Sequence, residues 1–266
     1  MSRVALIALT LIALPALGWA SAGDLDPSFG SGGSVALTIP GDSTQGQSLL
    51  VLPDGRLVVA GTVTTSGTSN LFVARLAAGG SLDPTFGTGG IVTTDVGGAP
   101  DELLRDMLRE PDGSIVILGD ATLGGERRIF LMRYDTGGVA DASFGTGGIA
   151  SVDFPGGTSD QASALGRQSD GSLIAVGHAL GTSTIDFTLA RFDAGGTLDP
   201  TFGVGGVATT DFGGGSDDRA YAAIVQADDA IVVAGSSGDS IALARYDSDG
   251  ALDPTCLLYT SPTPRD

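Results

Sequence analysis

The sequence predicts an all-β protein: a β-propeller-type array of four blades, each of four antiparallel strands and roughly 58 residues. Three observations carry this. One phrase recurs at near-constant spacing, as LDPSFGSGG from Leu25, LDPTFGTGG from Leu82, ADASFGTGG from Ala140 and LDPTFGVGG from Leu198. A fifth copy begins at Leu252 and reads only as far as Thr255. The phrase aspartates (Asp26, Asp83, Asp141, Asp199, Asp253) lie 57, 58, 58 and 54 residues apart, and self-similarity at such a period marks a stacked repeat architecture. Each period also holds four short stretches rich in Val, Ile, Leu or Phe and bounded by Gly, Asp or Pro, which is strand character. Finally, the runs LVVAG, IVILG, LIAVG and IVVAG are almost continuously apolar, as in a strand covered on both faces.

The units fall at about 25–81, 82–139, 140–197 and 198–251, with the start of a fifth at 252–255. In the second unit strands are expected at 91–95, 103–109, 115–119 and 129–134; in the third, at 149–153, 162–167, 173–177 and 187–192. Residues 101–110 (DELLRDMLRE) have a helical composition, but their counterparts GQSLLVL, QASALGR and RAYAAIV do not. Register therefore overrides propensity there. Pro53-Asp54-Gly55, Pro111-Asp112-Gly113, Ser169-Asp170-Gly171 and Ala227-Asp228-Asp229 mark the hairpin between second and third strands. In such a turn Asp bonds nearby amides and Gly supplies the positive φ. The phrase itself is placed in the connection between one sheet and the next, with Phe29, Phe86, Phe144 and Phe202 buried at equivalent sites. A β-solenoid is the rival architecture, but its coils have shorter periods.

Arg75, Arg133, Arg191 and Arg245 each precede a phrase aspartate (Asp83, Asp141, Asp199, Asp253) by eight residues. Fixed spacing across a turn favours a structural Arg–Asp pair in every unit, held by charge-assisted bonds. The alternative is a ring of arginines lining an axial channel and binding an anion.

Together the LDPxFGxGG phrase, the PDG turn with its apolar strand and the FxxAR-like strand resemble the delta-60 repeat family of exported bacterial proteins. The resemblance covers Leu25 to Thr255 and implies a β-propeller. Local departures are Ala140 and Ala142 in the third phrase and Asp229 in the fourth turn.

Residues 1–22 stand outside the repeats. Arg3, an apolar run from Val4 to Leu17 and the small residues Ala20-Ser21-Ala22 form the layout of a secretory signal peptide; the run is shorter than the roughly 20 residues of a membrane span. Export, to the cell surface, periplasm or medium, is the expected destination, with no membrane span after cleavage. The other end is anomalous too. Residues 256–266 (CLLYTSPTPRD, from Cys256) match no earlier unit and resemble the translation of a transposon-derived sequencing adapter, CLLYTSPSPRD. On that reading the tail is non-native, the natural protein continues past Thr255, and four blades make an incomplete propeller.

The formal net charge is −18, and every basic residue is arginine. Such a surface repels nucleic acid and anionic lipid. Cysteine is absent from the repeats, so a disulfide-free core must hold them.

Catalytic constellations are missing. His178 is the single histidine and reads as a loop residue, because a triad or zinc site needs partners the chain lacks. The GTGG and GVGG segments precede strands and read as turns, not anion cradles. Asp247, Asp249 and Asp253 have the spacing of the start of a calcium loop, but the terminal glutamate is missing. Asp160 and Asp217-Asp218 are placed near loops. Hairpin turns are the favoured reading of all these clusters, with calcium the one cofactor held open. The leading function is thus an exported, non-catalytic binding or scaffold module for an extracellular protein or glycan. The alternative is a propeller enzyme, such as a glycoside hydrolase with paired carboxylates or a lyase.

Overall fold

The computed structural model describes residues 23–254 except 182–184 and 214. The expected signal segment (1–22), Thr255 and the expected adapter tail (256–266) lie outside the described residues. Among those described there is no α-helix, and residues 101–110 contribute a strand.

Blade I consists of β1 (Ser43–Val51), β2 (Leu57–Thr65), β3 (Thr68–Leu76) and β4 (Ile91–Thr94). Blade II is built from β5 (Leu103–Arg109), β6 (Ile115–Leu123), β7 (Glu126–Tyr134) and β8 (Ala150–Val152). In blade III the strands are β9 (Gly157–Arg167), β10 (Leu173–Gly181), β11 (Phe187–Phe192) and β12 (Val207–Thr210). Blade IV contributes β13 (Asp218–Val225), β14 (Ile231–Ser237) and β15 (Ser240–Tyr246). Each blade is an antiparallel meander in sequence order, which excludes a solenoid coil.

Sheets and sequence units are out of step. The strand after each phrase was expected to open its own sheet, yet β4 pairs with β3, β8 with β7 and β12 with β11. The phrase therefore connects the third and fourth strands of one blade, correcting its expected place between sheets. The reason is local. In the second phrase Gly87, Gly89 and Gly90 all have positive φ, which reverses the chain tightly enough to return it to the edge it just left.

The core lies in the seams between blades. Phe86, Met107, Ile117 and Phe130 pack between blades I and II, Phe144, Phe154, Leu173 and Phe192 between II and III, and Phe187, Phe202, Ile231 and Tyr246 between III and IV. Strand β6 is buried along seven consecutive residues because both its faces meet a neighbouring blade. The array is open at its ends, where Leu49 and Val51 of β1, and Tyr221 and Ile224 of β13, are mostly exposed. Phe29 is only half-buried, unlike Phe86, Phe144 and Phe202; no described sheet lies beneath the first phrase, so its expected burial does not occur.

First strands lie side by side along the inner edge. Ser48 Oγ reaches Asp106 Oδ1 at 3.4 Å, the Leu165 amide donates to Asp106 Oδ2 at 2.9 Å, and Ser163 Oγ donates to the Ala220 carbonyl at 2.7 Å. Single parallel bridges, Ser69 to Asp101 and Arg127 to Ser159, latch the third strands of blades I and II to the next blade.

Candidate functional site

The phrase turns and the inner strands differ in how strictly they repeat. At the phrase end Arg75 Nε donates to Asp83 Oδ2 at 2.8 Å, Arg133 reaches Asp141 at 2.7 Å, Arg191 reaches Asp199 at 2.8 Å and Arg245 reaches Asp253 at 3.1 Å. Three of these guanidiniums lie over a phrase ring, 4.8 Å from Phe86, 4.8 Å from Phe144 and 5.1 Å from Phe202, an arrangement that adds cation–π attraction. Each also crosses the seam, Arg75 to the carbonyl of Thr136, Arg133 to Ala194 at 2.7 Å and Arg191 to Ser248 at 2.7 Å. The arginines are thus clamps between blades, not a ring open to an axial anion. Asp83 and Asp141 are held below the usual carboxylate range by hydrogen bonds from Thr85 and Ser143 first, with arginines adding to the effect.

Midway along the inner strands the backbone repeats while the side chains change. In every blade the first strand carries a β-bulge, at Gln47, Arg105, Ser163 and Tyr221. A bulge re-aims the side chain it carries and is enriched beside functional sites. Opposite each bulge stands the glycine that ends the apolar run. A Cβ on Gly61, Gly177 or Gly235 would lie 1.9–2.0 Å from a carbonyl oxygen of the facing strand, so only glycine fits. The position after that glycine also varies, as Thr62, Asp120, His178 and Ser236. Gln47 bonds Thr62 at 2.9 Å, Arg105 grips Asp120 at 2.6 Å, and Ser236 reaches Tyr221 at 3.4 Å. Asp120 is fully buried and also takes Arg127, whose guanidinium extends to Asp101 at 2.6 Å. Sequence reasoning missed this row. Its signal was present, since the four bulged residues are 58 apart and chemically unlike.

Other expected sites move. His178 is not in a loop: it lies within β10 and is buried. Burial, then Arg219 and Arg105 nearby, push its pKa down, which keeps the ring neutral. Asp160 and Asp218 are fully buried strand residues, accepting the amides of Phe154 at 2.8 Å and Phe212 at 2.7 Å. Glu102, also 58 residues from Asp160 and also fully buried, accepts from Val96 in the same way. Asp217 pairs on the surface with Arg219 at 3.1 Å. Asp247 caps the amides of Asp249 and Ala251, while Asp249 and Asp253 face Arg191 and Arg245; the three carboxylates do not converge on one point. In the phrase turns the amides of Gly87, Thr88 and Gly90 donate to protein carbonyls, so they offer no anion cradle. Two outer clefts repeat with the blades, lined by Gly87, Ile91 and Val92 and by Gly203, Val207 and Ala208, and hold no titratable acid or base besides Tyr246.

Burial is the main cause that pushes Asp160 up to about 7, with Asp153 and Asp120 adding to it and the Phe154 amide and Arg128 opposing. The folded state keeps a proton that a free aspartic acid releases near 3.8. Stabilisation from the protonated form is therefore complete below that value and lost as pH rises through about 7. Glu102, raised to about 7 chiefly by burial, acts in the same direction. With chelator present, the melting temperature should rise on the order of a few degrees between pH 8 and 5.5. Asp160→Asn should flatten part of that slope, and Asp160→Asn with Glu102→Gln most of it. A slope unchanged in both variants would contradict the assignment. Asp83 and Asp141 titrate below this window and leave it clear.

A meander of four strands, with three described in blade IV, repeated around a shared inner edge and packed face to face, defines a β-propeller-type repeat protein. The sequence agrees independently: residues 52–86, 110–144, 168–202 and 226–255 match the model of the domain of unknown function DUF5122 beta-propeller. The chain belongs to that family. No curated protein matches it in sequence. Among solved structures it is similar to a candidate glycoside hydrolase of Parabacteroides distasonis, at 14% identity and TM-score 0.45, over 79% of this chain and 71% of the other. A candidate glycosidase of Bacteroides thetaiotaomicron gives 14%, 0.44, 80% and 72%. Hydrazine synthase of Kuenenia stuttgartiensis gives 15% and 0.42 over 78% of this chain, which spans 28% of that enzyme's chain. Likenesses this distant carry no argument about this chain.

Proposed function

We propose that this chain is an exported, non-catalytic binding or scaffold module whose units are delta-60 repeats, with its ligand face at the bulge row. One observation supports this most. Equivalent bulged positions hold Gln47, Arg105, Ser163 and Tyr221 on a backbone that otherwise repeats. Packing alone favours the same residue in each blade, as at the phrase end; four different polar side chains fit recognition of a ligand without the array's symmetry. An extracellular glycan or protein suits a face of serine, tyrosine, amide and guanidinium groups, whereas nucleic acid does not suit the charge of −18.

Catalysis is disfavoured by how the acids are held. A glycosidase needs two carboxyl groups flanking an open cleft. Glu102 and Asp160 have a suitable pKa but no exposure, and Asp120 is locked between Arg105 and Arg127. A printed glycan library, paired with a hydrolysis screen of the same sugars, tests the reading. Binding without turnover is expected. Product release that disappears with a carboxylate pair would establish the enzymatic alternative instead.

A further inference from the structure

The first phrase is built like the others but belongs to no described sheet. The Gly30 amide donates to the Gly79 carbonyl at 2.9 Å, as Gly87 does to Gly137 at 2.8 Å and Gly145 to Gly195 at 2.7 Å. That bond is how the phrase of one blade meets the next blade. Ile39 then packs with Val63, Phe72 and Ala74 of blade I, from the position that Val96 and Phe154 hold after β4 and β8. Residues 34–37 thus stand where a fourth strand would precede blade I, yet no described strand pairs with them. Asp26 shows the same gap. Ser28 bonds its Oδ1 at 2.6 Å as Thr85 bonds that of Asp83 at 2.7 Å, but no arginine among the described residues reaches its Oδ2, where Arg75 reaches Asp83.

Blade IV is short of the complementary parts. Its sheet holds β13, β14 and β15, with no fourth strand among the described residues. After Thr255 the sequence reads Cys256-Leu257 where the other phrases read Phe-Gly, so it supplies no phenylalanine at that position. The clamp differs too: Arg245 Nε donates to Gln226 Oε1 at 2.8 Å, whereas Nε of Arg75, Arg133 and Arg191 donates to the phrase aspartate. The face of blade IV that would continue the array is uncovered. Ile174, Val176, Phe187 and Leu189 of blade III are fully buried, while their counterparts Val232, Ala234, Ile241 and Leu243 are all at least partly exposed, Ile241 by 73%. At the other end Leu49 of blade I is 60% exposed where Met107 and Leu165 are buried.

We propose that a second copy of this chain fills both gaps. The open face of blade IV in one copy packs on the open face of blade I in the other, whose residues 34–37 join β15 as its fourth strand. Continuity with the internal seams selects this occupant, because every seam already joins the same face of one blade to the same face of the next. Register follows from the β3–β4 and β11–β12 pairs, with Ser34 opposite Ala244 and Leu37 opposite Ile241. Leu25-Asp26-Pro27 repeats Leu252-Asp253-Pro254. The incoming phrase can therefore take over the contacts of the outgoing one, adding the Phe29 ring beneath Arg245 and a strand beside β15. Two copies make two such junctions, and a head-to-tail contact that closes gives a ring. Its eight blades lie within the usual range for closed propellers, about four to eight.

Sedimentation velocity on the whole chain tests this, with disulfide trapping in a Cys256→Ser background. Wild type should sediment as two chains. Ile241→Arg and Leu49→Arg, at positions exposed within one copy, should each weaken association about tenfold or more while the β-sheet circular dichroism stays intact. Val139→Arg, exposed on blade II, should leave association unchanged. Mixed Leu37→Cys and Ile241→Cys copies should form a disulfide between one of each. Wild type that remains a single chain at about 100 μM, where a contact of micromolar affinity is filled, would overturn the proposal, as would association undiminished in both folded arginine variants. A chain carrying both cysteines that links only within itself would also overturn it, because residues 34–37 would then complete their own blade IV.

Discussion

Phe144→Ala should destabilise the array by about 3–5 kcal/mol, the range for truncating a fully buried phenylalanine. The ring has no exposure and fills the seam between blades II and III. Above it lies the Arg133 guanidinium, 4.8 Å from the ring centre. Below it lies Gly196, whose missing Cβ would come within 2.9 Å of the ring. That glycine has a φ of +84° and sits in a hydrogen-bonded turn, so the backbone is poorly placed to collapse into the space left behind. The cost therefore combines lost transfer energy, a persistent cavity and a lost cation–π contact. Urea denaturation measures it. Phe29→Ala is the internal comparison: its ring is half-buried, and about 1 kcal/mol is expected for such partial burial. Equal losses at the two sites would mean that Phe144 is not the seam's packing centre.

Asp120→Ala is the second large effect, also about 3–5 kcal/mol, because removing one partner of a buried ion pair leaves unpaired charge. Arg105 loses its carboxylate partner, and Arg127 is left with Asp101 alone. Arg105 Nε and Arg127 Nε lie 2.6 and 2.7 Å from its oxygens, and the Asp120 carboxylate is wholly inside. The amide of Ala162, which donates to the same carboxylate at 3.3 Å, loses an acceptor across the seam. Replacing both arginines by methionine in the Asp120→Ala background should recover most of the loss, since an apolar cluster of similar volume carries no unpaired charge. A penalty that persists with the arginines gone would locate the damage in packing. Denaturation of the wild type, the single variant and the triple variant separates these outcomes.

The all-β architecture was legible because a 58-residue period and the alternation of apolar runs with Asp-Gly turns are properties of the chain itself. The clamp at the phrase end was legible for a related reason: an arginine eight residues before an aspartate recurs in every unit. The bulge row was not. A search for chemistry by residue type finds one histidine and scattered acids; the 58-residue spacing puts Gln47, Arg105, Ser163 and Tyr221 at one repeat position, but only the strand pairing shows that this position is a bulge. Burial hid the acids as well. Asp160 reads as a loop residue beside Pro155-Gly156-Gly157, yet the strand begins at Gly157 and carries Asp160 inside to cap the Phe154 amide. The offset between sheets and units escaped the sequence because a repeat has no intrinsic starting point; only the β3–β4, β7–β8 and β11–β12 pairings fix where a blade begins.

The proposed ligand face is tested most directly by mapping, with hydrogen exchange, where a glycan or protein captured on an array protects the chain. Protection should centre on residues 46–48, 104–106, 162–164 and 220–222, and Ser163→Ala and Tyr221→Ala should each lower affinity by about tenfold, equivalent to about 1.4 kcal/mol. Protection confined to the phrase turns at 82–90, 140–148 and 198–206, with affinity unchanged in both variants, would contradict a recognition face at the bulge row.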